Sequence, residues 1–304
     1  MVNLLFGAVG RHNFGDLLFP HIIEALFPDK QFTVCDLVSR DMREHGGHTV
    51  ESIFDYFGKE CNNVILVGGN VGNCNGTQAA EMLDVPPFEL PLPYIFDRNK
   101  AILRGKLIAN SIGGVEDTTL LREYDYVGVR DSASLKHSRF YHVPDSACLT
   151  RRLFDSKIQN STASDSIKEV MGEYTAVQVC NYELEKQTDR ICQLVEQEES
   201  IVFFCAGTAA NHDSLENYAK VFDPSRAYFA DQTNIWDICS IIAGAKKLMA
   251  TSLHAHIIAK LYEVETVTLT DQLKVRLFNR EWASLPTTEL ENTFLKSLEM
   301  WDIN

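Results

Sequence analysis

Two histidines lie two positions apart in the run Leu248-Met249-Ala250-Thr251-Ser252-Leu253-His254-Ala255-His256. An imidazole titrates near neutral pH, so a positioned histidine can take or give a proton at working pH. Leu248–Ala250 reads as a short strand, and Leu253–Tyr262 has the apolar spacing of a helix. Thr251, Ser252 and His254 then fall where a strand ends and a helix begins, the place where open α/β sheets hold ligands. A helix start also offers backbone N–H groups and a positive dipole end to an anion. Ser252 and Leu253 are the anion contacts expected there, with Lys247 among the cations near in sequence. His254 is the acid/base candidate. His256 points to another helix face and reads as structural. The two do not make a metal pair, because a shared helical face needs i,i+4 spacing. Ser252 also reads as a helix N-cap.

A second set of reactive residues lies upstream. Gly10-Arg11-His12-Asn13-Phe14-Gly15-Asp16 follows the apolar run Leu4–Ala8 and precedes a helical pattern, Leu17–Phe27. Asp16 is either a base toward a hydroxyl or the N-cap of that helix, and Pro20 is expected in its first turn. The glycines do not match G-x-G-x-x-G, so no dinucleotide fingerprint is present. Val64–Val67 is a buried-type strand running into Gly68-Gly69-Asn70. Tyr126–Val129 runs into Arg130-Asp131. Arg130 is read as a cation for an anionic ligand or as the partner of Asp131 or Asp145. Tyr94 and Phe96 could stack on a sugar or pack in a core. His45-Gly46-Gly47-His48 has metal-pair spacing only, and a flexible surface loop is expected; no metal site is expected.

Apolar strand-like runs alternate with helical patterns along the whole chain, which predicts parallel sheets covered by helices. Arg152–Lys168 is rich in Ser, Thr, Asn and Asp and reads as containing a linker. The expected organisation is an N-terminal Rossmann-like domain over 1–155, a linker over 156–168 and a C-terminal Rossmann-like domain over 169–304. The last helix is expected to pack back on the first domain.

Among 304 residues, 45% are hydrophobic and 23% charged, ample for a buried core. The net charge of -14 argues against a general nucleic-acid binder, which needs a basic face. Eight cysteines without a C-x-x-C pair suit a reducing compartment. The N-terminus lacks a basic region before its short apolar run, and no segment approaches about 18 consecutive apolar residues. The expected location is the cytoplasm, with no membrane span and at most peripheral association; the oligomeric state stays open.

Five loops together resemble the polysaccharide pyruvyl transferase family. They are Gly10–Asp16, Val67-Gly68-Gly69-Asn70, Val129-Arg130-Asp131-Ser132-Ala133-Ser134, Val143-Pro144-Asp145 and Ser252-Leu253-His254, in that order over residues 4 to 270. The resemblance implies a two-domain glycosyltransferase-B-like fold with an interdomain cleft. It also implies transfer of the enolpyruvyl unit of phosphoenolpyruvate onto two sugar hydroxyls, giving a pyruvate ketal, with no further cofactor. On that reading His254 and Asp16 are catalytic. Arg130, Ser252, Leu253 and Lys247 meet the anionic donor, and Asn13, Gly69 and Asn70 meet the sugar or glycan acceptor. The family's R-L-H is Ser252-Leu253-His254 here. A serine hydroxyl cannot make the bidentate contact of a guanidinium. A nucleotide-sugar-dependent glycosyltransferase and a non-catalytic sugar- or nucleotide-binding homologue are therefore the alternatives.

Overall fold

A computed structural model describes residues 2–95 and 104–303; Phe96 lies outside them. The chain divides into two compact units. One holds the residues up to Arg11, then Asp16–Leu149, then those from Ser284 onward; the other holds His12–Gly15 and Thr150–Ala283.

In the first unit the strands are β1 (Val2–Phe6), β2 (Phe32–Asp36), β3 (Arg40–Asp41), β4 (Thr49–Ser52), β5 (Glu60–Leu66), β6 (Arg104–Ile112), β7 (Tyr126–Val129) and β8 (Tyr141–His142). They form one eight-stranded sheet in the order β3-β4-β2-β1-β5-β6-β7-β8. Every pairing is parallel except β3 with β4. Continuous apolar runs such as Val64-Ile65-Leu66 and Leu107-Ile108-Ala109 are buried, as a sheet covered on both faces requires. The order reverses at β1: β2 lies on one side, and β5, the next long strand, on the other. That is a topological switch point, where strand-end loops part and leave a crevice. The helix Thr287–Ser297 and the turn after it belong to this unit. Trp301 is fully buried there, 6.1 Å from the ring of Phe27 and 5.9 Å from that of Tyr126.

The second unit carries β9 (Thr175–Gln178), β10 (Ile201–Phe203), β11 (Ala227–Phe229), β12 (Lys247–Ala250) and β13 (Glu265–Thr268). All are parallel, in the order β11-β10-β9-β12-β13. Here the switch point lies between β9 and β12. The helix Leu253–Leu261 follows β12 and is buried on nearly all sides, as its apolar composition demands. Both units thus have parallel doubly wound sheets, the glycosyltransferase-B-like class.

Several elements differ from their sequence reading. Residues 156–168 are mostly helical, in Thr150–Gln159 and Ala163–Met171. Their polar residues serve helix ends, Ser161 donating to Asp237 at 2.6 Å, while Ile158 and Ile167 are buried. Thr49–Phe57, which the sequence pattern predicts as a short helix, is a strand followed by a 3-10 turn. The sequence pattern also predicts helices around Asp117–Glu123 and over Ser132–His137; only Leu121–Glu123 of the first is helical, and the second is a series of turns. The first helix begins at Phe14, so Asp16 lies inside its first turn and is not the N-cap; Pro20 is interior to it. There Pro20 has no N–H to offer the carbonyl of Asp16, four residues back. Among the described residues, no helix is long and apolar enough to cross a membrane.

Candidate active site

In the first unit, the loops after β1 and β5 meet at the switch point. Arg11 and Asp16 form an ion pair of 2.8 Å with little exposure on either side. The second oxygen of Asp16 faces the glycine pair: a Cβ on Gly69 would stand 3.4 Å from it. Gly68 and Gly69 have φ of 141° and 94°, conformations that cost an L side chain. Asn70 does not share the positive φ, which falls on the two glycines alone. Backbone bonds from Gly113 to Gly69 at 2.9 Å and from Gly72 to Gly113 at 3.0 Å lock this loop to the one after β6.

Arg130 is 4% exposed and donates to Asp145 at 2.7 Å. Its other terminal nitrogen is 3.5 Å from the Asn70 side chain, at the limit of a hydrogen bond. The second oxygen of Asp145 accepts from the Ala147 amide at 3.0 Å. Of the two roles read for Arg130, the structure displays the loop-fixing one. Tyr94 is fully buried beside Phe6 and donates to Asp36 at 3.0 Å, which makes it a core residue and removes it as a sugar platform.

Asp36 was not singled out from the sequence. It is fully buried at the end of β2 and accepts from the amides of Gly10 and Leu37 at 2.7 and 2.6 Å. Burial outweighs these bonds and pushes its carboxyl up to about 6. A charged residue directly after an apolar strand was the signal available.

In the second unit, the segment His12–Gly15 lies on the loops after β10, β11 and β12. The Thr208 amide donates to Nδ1 of His12 at 3.1 Å, and Nε2 is 2.9 Å from the Thr233 carbonyl. A carbonyl only accepts, so this network assigns the proton to Nε2. The Phe14 amide donates to the Ala206 carbonyl at 2.8 Å. These bonds press Gly15 against His254: a Cβ there would stand 1.8 Å from the His254 Nδ1. His254 is 8% exposed, with the Phe14 ring edge-on at 6.2 Å. Half-buried Asn13 belongs to the same segment.

The turn that carries His254 is held from beneath by Gln178, fully buried at the end of β9. Its carbonyl oxygen accepts from the amides of Thr251 and Ser252 at 3.2 and 2.8 Å. Its amide nitrogen donates to Asp213 at 2.9 Å. The same Asp213 oxygen accepts from the Ala206 amide at 2.7 Å, so the Gln178–Asp213 pair ties the loop after β12 to the loop after β10. Gln178 and Asp213 were missed as a pair. A polar residue closing the apolar run of β9 was visible, but its partner 35 positions on was not.

Ser252 caps the helix, accepting from the Ala255 amide at 3.4 Å. Leu253 is buried and can meet a ligand only through its backbone at the helix start. Lys247 is not brought to this turn. It begins β12, at the opposite end of the sheet, and pairs with Glu198 at 2.7 Å. His256 is used inside the fold, bonded to the Ser252 carbonyl at 2.8 Å and the Thr268 hydroxyl at 3.1 Å. Burial lowers its pKa against the pull of that carbonyl.

A sequence profile of polysaccharide pyruvyl transferases matches residues 13–272, which takes in Asn13, the Gly68–Asn70 loop and the helix of His254. The chain belongs to the polysaccharide pyruvyl transferase family. Solved structures similar to this family member include UDP-GlcNAc 2-epimerases. The Methanocaldococcus jannaschii enzyme in complex with UDP-GlcNAc and UDP is 10% identical, with a TM-score of 0.60 over 100% of this chain and 93% of that one. The Rickettsia bellii enzyme is 9% identical, with a TM-score of 0.61 over 100% and 96%. The Neisseria meningitidis enzyme bound to UDP-GlcNAc is 10% identical, with a TM-score of 0.57 over 99% and 93%. At such identity the likeness speaks for the fold alone. No curated protein sequence matches it.

Proposed function

We propose that the chain transfers the enolpyruvyl unit of phosphoenolpyruvate onto two hydroxyls of a sugar, closing a pyruvate ketal on a surface polysaccharide or glycan. Two C–O bonds form at C2 of the donor and the bond to the phosphate oxygen breaks. Of the two hydroxyl protons, one ends on C3, which becomes a methyl group, and one leaves with phosphate. The chemistry needs an acid for C3, a base for the hydroxyls and a seat for two anionic groups, with no cofactor.

His254 is the group we assign to proton transfer. The observation that carries the assignment is its seat, between Gly15 and the start of a helix anchored by Gln178. The helix dipole beside it favours an anionic donor, so the second unit is the donor side, with Ser252 and Leu253 nearest the anion. The first unit is the acceptor side. There Asp16, held by Arg11 against Gly69, is the base toward a sugar hydroxyl, with Gly69 and Asn70 lining the same switch point. Phosphoenolpyruvate is a cytoplasmic metabolite, which places the reaction in the cytoplasm.

Thermal-shift titration tests the donor. Phosphoenolpyruvate is expected to raise the melting temperature in a saturable way, and UDP-GlcNAc to leave it unchanged. A shift with the nucleotide sugar and none with phosphoenolpyruvate overturns the reading in favour of nucleotide-sugar chemistry.

A further inference from the structure

We propose that His21, Glu24 and His48, in the first unit and apart from the switch-point loops, form a binding site for one divalent transition ion of the zinc class. His21 and Glu24 are three residues apart on the helix Phe14–Leu26 and so share a face. His48 comes from the turn before β4. One ligand atom from each lies within 4.8 Å of the others, and all three side chains are half-buried. A tetrahedral ion with bonds of about 2.1 Å needs its ligand atoms roughly 3.4 Å apart, a closure that small side-chain rotations supply. The two imidazole rings are already 4.1 Å apart, centroid to centroid.

The supports of the cluster are those a metal site needs. Nε2 of His21 lies 2.8 Å from the Gly46 carbonyl, which can only accept. That bond fixes the ring and leaves Nδ1 as its basic nitrogen, the usual arrangement for a metal-bound imidazole. Gly46 presents its carbonyl from a left-handed conformation, φ 78°. The turn is not a flexible loop: Met42 donates to the His48 carbonyl at 2.9 Å and Gly47 to the Met42 carbonyl at 3.0 Å. His48 Nε2 meets Glu24 at 2.9 Å. The ion takes the place of the proton shared by His48 and Glu24, which is released. Two nitrogens and one carboxylate suit zinc, cobalt(II) or nickel(II), with water completing the shell. The sequence pointed His48 toward His45; its neighbours in space come from the helix 24 and 27 positions upstream.

Cobalt(II) titration of the purified chain tests this. One equivalent is expected to bind, with visible bands of nitrogen and oxygen ligation and no thiolate charge-transfer band. Zinc is expected to displace it. His48→Ala and Glu24→Gln should each weaken binding at least tenfold. In the unaltered chain, the ring resonances of His21 and His48 should broaden while those of His256 stay sharp, a readout that needs no variant. Absence of stoichiometric uptake overturns the proposal. So does uptake unchanged in both variants, or uptake with a thiolate band, which would place the ion on the cysteines.

Discussion

A Cβ added at residue 15 would lie 1.8 Å from Nδ1 and 2.1 Å from Cγ of His254, so Gly15→Ala must push the imidazole or the backbone aside. Overpacking of this kind costs about 1–3 kcal/mol. Displacing a proton-transfer group by about 1 Å costs roughly 100-fold in rate. Gly15→Ala is therefore expected to lose far more turnover than its small drop in urea midpoint explains. His254 itself was legible, because strand, turn and helix pattern meet around it. The role of Gly15 was not, since spacing within a loop carries no record of which distant helix the loop lies on.

Asp36 makes a second prediction at this scale. Its folded pKa of about 6 stands above the ordinary 3.8, so between those values the folded chain binds more protons than the unfolded one. The stability linked to Asp36 is whole below the lower value and is lost as pH rises through the higher. Asp36→Asn removes that loss. Denaturation at pH 4 and pH 7 should show the variant gaining on the natural chain by about 2 kcal/mol across the interval. A constant difference at all pH values would show that folding leaves the Asp36 pKa unshifted.

Among the elements, the turn from β12 into its helix depends on β9. Gln178→Leu keeps the size of the side chain but strands the Ser252 amide and takes one bond each from the Thr251 hydroxyl and Asp213, while the Thr251 amide keeps its bond to the residue 178 carbonyl. Unpaired buried groups cost about 1–3 kcal/mol each. A loss of about 2–4 kcal/mol is expected in chemical denaturation, along with a weaker response to phosphoenolpyruvate in thermal shift. The parallel strands were readable because apolar runs bounded by loop formers survive in any buried sheet. The helices over 150–171 were not. Serine, threonine, asparagine and aspartate mark coils and helix ends alike, and here they flank a break between two helices. Lys247 shows the complementary error. Nearness in sequence was taken as nearness in space, but a strand carries its two ends apart.

For the molecule as a whole, the alternation of strands and helices foretold two doubly wound sheets, and the strand orders agree. The chain's last helix belongs to the first unit. Trp301 is fully buried among Phe27, Tyr126 and Phe294. Trp301→Ala is expected to cost about 3–5 kcal/mol, and hydrogen exchange should show the loss in the first unit's strands while β9 and β12 keep their protection. Equal deprotection of both units would contradict that division. The central claim, that His254 moves the proton in pyruvyl transfer, is tested most directly by phosphate release from phosphoenolpyruvate in the presence of acceptor sugars. The account predicts acceptor-dependent release that falls roughly 100- to 10,000-fold in His254→Gln, with the thermal shift by phosphoenolpyruvate retained. Undiminished release from His254→Gln would contradict it.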